Sequence, residues 1–321
     1  MASVLYASAR AVSLEKTLIG EDRLKRMIDG TAEDALKILS EVGFGSGETV
    51  NEETDAVLTE ETTKLSAFIK TTAPDDKTAK FFLYPYDFKN AEAIVKSKYL
   101  KTEITFSPSG LFDVKDLKDK IFADNYGLLP QFMGKALLAA DKAFVEGSAS
   151  GLYINTLFTK ALYDELFSLK IKSGFLAKIL CAKADLINIG IALRSRDFFV
   201  AEKQFAHIGE LDLSTLKTVC EDDFDKIREK FRFLDYREEV ETALTGIESG
   251  FGLKEFEKAS DSYAVKLVKK NRYNQEGDFP FIRYCFYKLA DIANARIVLV
   301  GLRGGLSAAE ISERLREHYE R

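Results

Sequence analysis

Tryptophan is missing from this chain, and histidine, methionine, cysteine and proline are scarce: 2, 3, 3 and 5 residues among 321. Each shortage excludes something. Two histidines, His207 and His318, leave little room for imidazole acid–base work or metal ligation. The cysteines Cys181, Cys220 and Cys285 have no paired spacing, which argues against a disulfide framework or a zinc site. Two of them lie in apolar helical text, so buried free thiols and a reducing compartment are expected. Few prolines and few turn clusters predict a mostly helical chain.

Long apolar runs are also lacking. The best, "IANARIVLVGL" at 292–302, is about eleven residues long and contains Arg296, short of the ~18 a membrane span requires. The opening residues lack the apolar core and cleavage site of a signal peptide. Net charge is −5 with both signs interspersed, and no lysine or arginine block suggests a nucleic-acid partner. Phosphate loops are missing as well. Gly134-Lys135 has no glycine five residues before it and no Ser or Thr after it. "VGFGSGE" at 42–48 lacks the strand a dinucleotide loop requires and reads as a helix–helix connection.

What is present is a 46% hydrophobic composition with 24 phenylalanines, enough for a large core with many aromatic contacts between helices. A recurring pattern also stands out. Among 23 Asp and 8 Asn, Asp-x-x-Asn occurs three times: Asp87/Asn90, Asp185/Asn188 and Asp291/Asn294. After each Asp, positions plus one, four, seven and eight are apolar: Phe88, Ala91, Ile94, Val95; Leu186, Ile189, Ala192, Leu193; Ile292, Ala295, Val298, Leu299. That is the spacing of one helix face. Three copies in register argue for a repeated architecture.

The flanks repeat too. Each motif is followed by a loop and a short helix, with Gly110, Gly209 and Gly305 preceding the expected N-caps Asp113, Asp212 and Ser307. Two helices precede each motif, the first opening near Thr31, Leu129 and Asp235. The prediction is an all-α chain of three pseudo-symmetric repeats of about four helices. The division is a leading helix (about 3–28) plus repeat one over 1–128, repeat two over 129–234 and repeat three over 235–321. Pro85 is expected to kink or restart the first motif helix. "TEITF" at 102–106 is the one short strand candidate.

The Asp/Asn pairs could be catalytic or metal sites, but neither histidine lies near one, and a metal needs more convergent ligands. The structural reading is that each pair caps or bridges a neighbouring helix end, its hydrogen bonds fixing packing register. Glu221, Asp222 and Asp225 of "EDDFD" have the spacing of an acidic Mg²⁺ box in all-α diphosphate enzymes, without a second facing box. The opposing reading is a solvated helix start. The Phe/Tyr-rich stretches fit core packing better than a ligand cavity. No catalytic, cofactor-binding or metal residue is assigned.

Tyr6 and Arg10 in the leading helix, "LKILSEVGFG", and the ending with Asn294, Arg296 and Gly304/Gly305 together resemble one family. It is the C-type subunits of the bacterial and archaeal V/A-type ATPases, the relatives of the d-type subunits of eukaryotic V-ATPases. The likeness covers nearly the whole chain. "VGFG" departs from a more usual Tyr-Gly ending, and Arg303 stands where a lysine is common. The resemblance implies a funnel of three helical domains on the cytoplasmic face of the membrane rotor ring, receiving the central stalk. Such a part transmits torque for ion transport, has no chemistry or cofactor of its own, and is held at the membrane only through its complex. Loops after the motif helices are the expected partner contacts, with Arg196, Arg303, Arg296 and Arg10 as candidate interface residues. The rival readings are a Mg²⁺-dependent diphosphate enzyme built on "EDDFD" and a general helical scaffold.

Overall fold

A computed structural model describes residues 2–45, 54–101 and 105–319. Among these residues the chain is helical, with no strand. In chain order the helices are α1 (Val4–Leu14), α2 (Gly20–Asp29), α3 (Ala32–Glu41), α4 (Thr54–Thr72), α5 (Asp76–Leu100), α6 (Val114–Phe122), α7 (Gln131–Val145) and α8 (Gly151–Ser168). Then follow α9 (Gly174–Ser195), α10 (Phe198–Ala201), α11 (Leu213–Glu221), α12 (Phe224–Phe231), α13 (Arg237–Glu248), α14 (Lys254–Lys270), α15 (Phe279–Arg303) and α16 (Ala308–Arg314).

Local chemistry sets many of these starts. Asp113 accepts from the Lys115 and Asp116 N–H groups, Asp212 from Thr215, and Ser307 forms a reciprocal capping box with Glu310, so all three expected N-caps are observed. Thr31 and Asp34 form a second capping box at the head of α3. Each cap satisfies a donor that the helix cannot satisfy itself. The ends of α5 and α9 are set by Lys101 and Arg196, both in the left-handed region at φ 53° and 50°.

Two sequence expectations change here. The leading helix is broken: α1 stops at Leu14, a 3₁₀ turn covers Glu15–Thr17, and α2 restarts at Gly20. The break frees the Ile19 N–H for a side chain 272 residues away. Pro85 does not restart its helix; α5 begins at Asp76 and runs through it. An interior proline costs about 3 kcal/mol. Burial of Phe81, Phe82, Leu83, Tyr84 and Phe88 on either side offsets that cost. The strand candidate lies partly outside the described residues; its described part, 105–106, is irregular.

The chain forms two compact units, residues 1–76 with 258–321, and residues 77–257. In the first, α15 is the central helix, and α1, α2, α3, α4 and α16 pack on it. Helix α1 buries only Ala7 and Ala11, whose small side chains allow close approach to α15. Helix α4 adds aromatic contacts: Phe68 stacks on Phe281 at 5.5 Å and meets Tyr284 edge-on at 5.2 Å. The C-terminal stretch runs along α14, held by Asp261–Arg316, Lys269–Glu317 and the Ser262 hydroxyl.

In the second unit, α7 and α8 form an antiparallel hairpin and α11 packs on α9. Lys98 of α5 reaches Asp124 at 2.6 Å and Asp141 at 3.4 Å, while neighbouring Tyr99 stacks on Phe144 at 4.6 Å. Gly134 is a buried α7 residue rather than part of a loop, and an added Cβ would lie 2.8 Å from the Tyr126 carbonyl. Cys220 and Cys285 are buried free thiols and Cys181 is half-buried; burial pushes the Cys220 thiol up to about 11.

Candidate functional site: the buried Asp/Asn pairs and the arginines

The three Asp/Asn pairs sit on α5, α9 and α15, and all six side chains are buried. A buried carboxylate or amide is tolerated only when hydrogen-bonded. In all three copies the Asn makes the same two kinds of bond. Asn90 accepts from the Ser107 N–H at 2.9 Å and donates to the Ser107 carbonyl at 2.8 Å. Asn188 accepts from Ala206 N–H at 2.8 Å and donates to the His207 carbonyl at 3.3 Å. Asn294 accepts from Arg316 N–H at 2.8 Å and donates to the Arg316 carbonyl at 3.1 Å. The amide thus mimics a peptide partner for a returning loop.

The Asp residues take the neighbouring backbone. Asp87 accepts from Leu111 and Phe112 N–H, at 2.9 and 3.1 Å. Asp185 accepts from Gly209, Glu210 and Leu211 N–H, at 3.0, 2.8 and 3.2 Å, and from the Tyr236 hydroxyl at 3.1 Å. Here Gly110 and Gly209 find their reason. A Cβ on Gly110 would lie 1.9 Å from an Asp87 oxygen, and one on Gly209 would lie 2.5 Å from both Asp185 and the Cys181 carbonyl. The backbone must come this close to donate, so only glycine fits.

The third copy differs. Asp291 does not reach the loop around Gly305; it accepts at 2.9 Å from Ile19 N–H, just ahead of α2. Desolvation pushes Asp291 up to about 7, opposed by that N–H and by Lys288. Burial also raises Asp185, but its several donors oppose the shift. One turn before Asp291, Lys288 is buried and pairs with buried Glu61 of α4 at 2.7 Å, lying 4.0 Å over the Phe44 ring. Sequence reading missed both partners of this pair. A lysine inside the apolar text of α15 was the available signal, since a buried ammonium requires a carboxylate.

Three of the four candidate interface arginines bond groups of the same chain. Arg196 is exposed but donates to the Val219 carbonyl at 2.8 Å and to the Asp222 carbonyl, closing the end of α11, and lies over Phe224. Arg10 donates to the Thr72 hydroxyl at 2.9 Å and lies over Phe68. Arg296 pairs with Asp55. Arg303 is exposed at the end of α15 and, among the described residues, has no ion-pair or hydrogen-bond partner.

The "EDDFD" carboxylates are engaged locally. Asp223 caps α12 at Lys226 N–H, Asp222 pairs with Lys226, Asp225 with Arg228, and Glu221 with Lys217. His207 stacks on Phe167 and bonds Asp164. Among the described residues no group of three or more His, Cys, Asp or Glu could hold a metal ion, and no helix is long and apolar enough to cross a membrane.

These features define an all-α protein whose buried polar pairs hold its own returning backbone. The family follows from comparison: the chain belongs to the ATP synthase (C/AC39) subunit family, whose model matches residues 7–314. It is also similar to the C-type subunit of the V-type sodium ATPase of Enterococcus hirae, 21% identical over 317 residues that cover 95% of this chain and 96% of that protein.

Proposed function

We propose that this chain is a non-catalytic coupling subunit of a rotary V/A-type ATPase, joining the central stalk to the membrane rotor ring and transmitting torque for ion transport. The observation that carries this reading is the family match running from residue 7 to residue 314. The end-to-end likeness to the Enterococcus hirae protein supports it, because the whole chain, rather than one module, corresponds. The buried pairs support it too: their polar atoms bond backbone, which suits a rigid part that bears load. On this reading the chain lies on the cytoplasmic side, peripheral to the membrane through its complex, and takes no cofactor.

The three-part division into 1–128, 129–234 and 235–321 belongs to the same proposal. Its support is the threefold recurrence of the Asn bonds on α5, α9 and α15. The Enterococcus hirae relative is named for sodium; the same coupling role would serve a proton motor. The diphosphate-enzyme reading gains no support from Glu221, Asp222 and Asp225, whose carboxylates pair with neighbouring lysines and an arginine.

The test is ATP hydrolysis and ion transport measured together in reconstituted complexes with and without this chain. Hydrolysis by the soluble head should persist without it, and ion transport should stop. Full transport in its absence, or hydrolysis by the isolated chain, overturns the proposal.

A further inference from the structure

We propose that Asp291 is a proton-controlled latch on the N-terminal segment: protonated, it stays buried and lets Ile19 and the start of α2 remain against α15, and ionised, it favours an opened state in which the carboxylate reaches water. The inference does not depend on the functional reading above; it rests on the difference between equivalent positions. Asp185 has three backbone N–H groups and a tyrosine hydroxyl around its carboxylate. Asp291 is similarly buried, and its one hydrogen-bond donor among the described residues is the Ile19 N–H.

A buried carboxylate with a single donor is poorly compensated for lost hydration. Two neighbouring charges act on it in opposite directions, Lys288 lowering and Glu61 raising its value, and the C-terminal stretch beside α15 carries His318, whose Nε2 is buried without a hydrogen-bond partner. Lys288, on the same helix, is held by Glu61, and Glu61 adds a second negative charge from α4. From α2, Arg23 points to the carbonyls of Leu18 and Ile19 rather than to the carboxylate. From the 3₁₀ turn after α1, Glu15 pairs with Arg283. Phe44, beyond α3, presents a ring to Lys288. The C-terminal stretch places Tyr319 beside Gly20 and against Tyr287. Tyr284, one turn before Lys288, is pushed upward by burial and stays neutral.

The carboxyl can escape this setting by two routes: taking up a proton, or opening to water. The one hydrogen bond to the carboxyl among the described residues comes from Ile19, so the opening expected here is one that releases Ile19. Proton loss therefore favours release of the segment that leads into α2. The neutral form, titrating near 7 against an ordinary value of 3.8, puts the change in the physiological range.

Residue-resolved hydrogen exchange on the full chain tests this. After correction for intrinsic base catalysis, the opening equilibrium of the Ile19–Leu24 amides should rise about tenfold between pH 6 and pH 8. Amides of α8 serve as the reference and should show no such rise. In Asp291→Asn the step should vanish. A pH-independent opening in the wild type, or the same step in Asp291→Asn, overturns the proposal. Should that variant fail to fold, a ¹³C carboxyl titration of the wild type decides. A midpoint near 7 that coincides with the midpoint of the wild-type Ile19–Leu24 exchange step supports the latch, and one near 4 or away from that step overturns it.

Discussion

At the scale of single residues, five of the six Asp/Asn side chains bond backbone that follows their helix, and Asp291 bonds the Ile19 N–H instead. Replacing Asn188 by Leu removes the acceptor for Ala206 N–H and the donor to the His207 carbonyl together. The expected loss is about 1–3 kcal/mol, and Asn294→Leu should cost about the same, both measured by chemical unfolding. Unchanged midpoints would mean these bonds are replaced by water. Gly209→Ala is expected to be at least as damaging. Its methyl meets an Asp185 oxygen and the Cys181 carbonyl at 2.5 Å, neither of which can retreat without releasing a bond. Gly127→Ala has nothing within 4 Å and serves as the control.

Asp291 also sets a pH dependence of stability. Its folded-state value, about 7, lies above the ordinary 3.8, so the folded chain binds a proton that the unfolded chain lacks within that window. Its contribution is full below about 4 and is lost as pH rises through 7. The difference in unfolding free energy between wild type and Asp291→Asn should therefore shrink from pH 4 to pH 7 and level off above. A constant difference would show that the carboxyl titrates normally.

At the scale of elements, α15 gathers the most consequential pair. Lys288 and Glu61 are both nearly inaccessible, and Glu61 belongs to α4. Removing one partner leaves a buried charge, so Lys288→Met alone should cost about 3–5 kcal/mol. Adding Glu61→Leu should restore much of that loss, because the desolvation cost disappears with both charges. A double-mutant cycle by thermal or urea unfolding reads this directly. Additive losses would show that the two side chains do not interact. Helix caps act on the same scale but more weakly: Ser307→Ala should cost about 1 kcal/mol through the head of α16.

At the scale of the whole molecule, the proposed coupling role directs attention to surfaces rather than to a pocket. Arg303 is the one candidate interface arginine left without an internal partner among the described residues. Under the proposed coupling role, Arg303→Ala should leave unfolding unchanged while weakening assembly with the proposed partners in a pull-down titration. Arg196→Ala should instead lower stability, since Arg196 closes α11 at Val219 and Asp222. The opposite pattern would exchange their roles.

The sequence by itself determined the helical class, the N-caps at Asp113, Asp212 and Ser307, and the use of the Asp/Asn pairs as hydrogen-bonding devices. Those features follow from local spacing: a cap needs residues three apart, and an amphipathic helix needs apolar residues three and four apart. Which backbone each pair holds was partly legible, because Gly110 and Gly209 follow their Asp by only about 24 residues. Tertiary structure alone decided the rest. Ile19 meets Asp291 across 272 residues, Glu61 meets Lys288 on another helix, and Arg196, Arg10 and Arg296 turn to carbonyls, a hydroxyl and a carboxylate. The physical reason is that a buried charge or donor must be satisfied by whatever packing brings near, and packing between distant segments has no signature in local spacing.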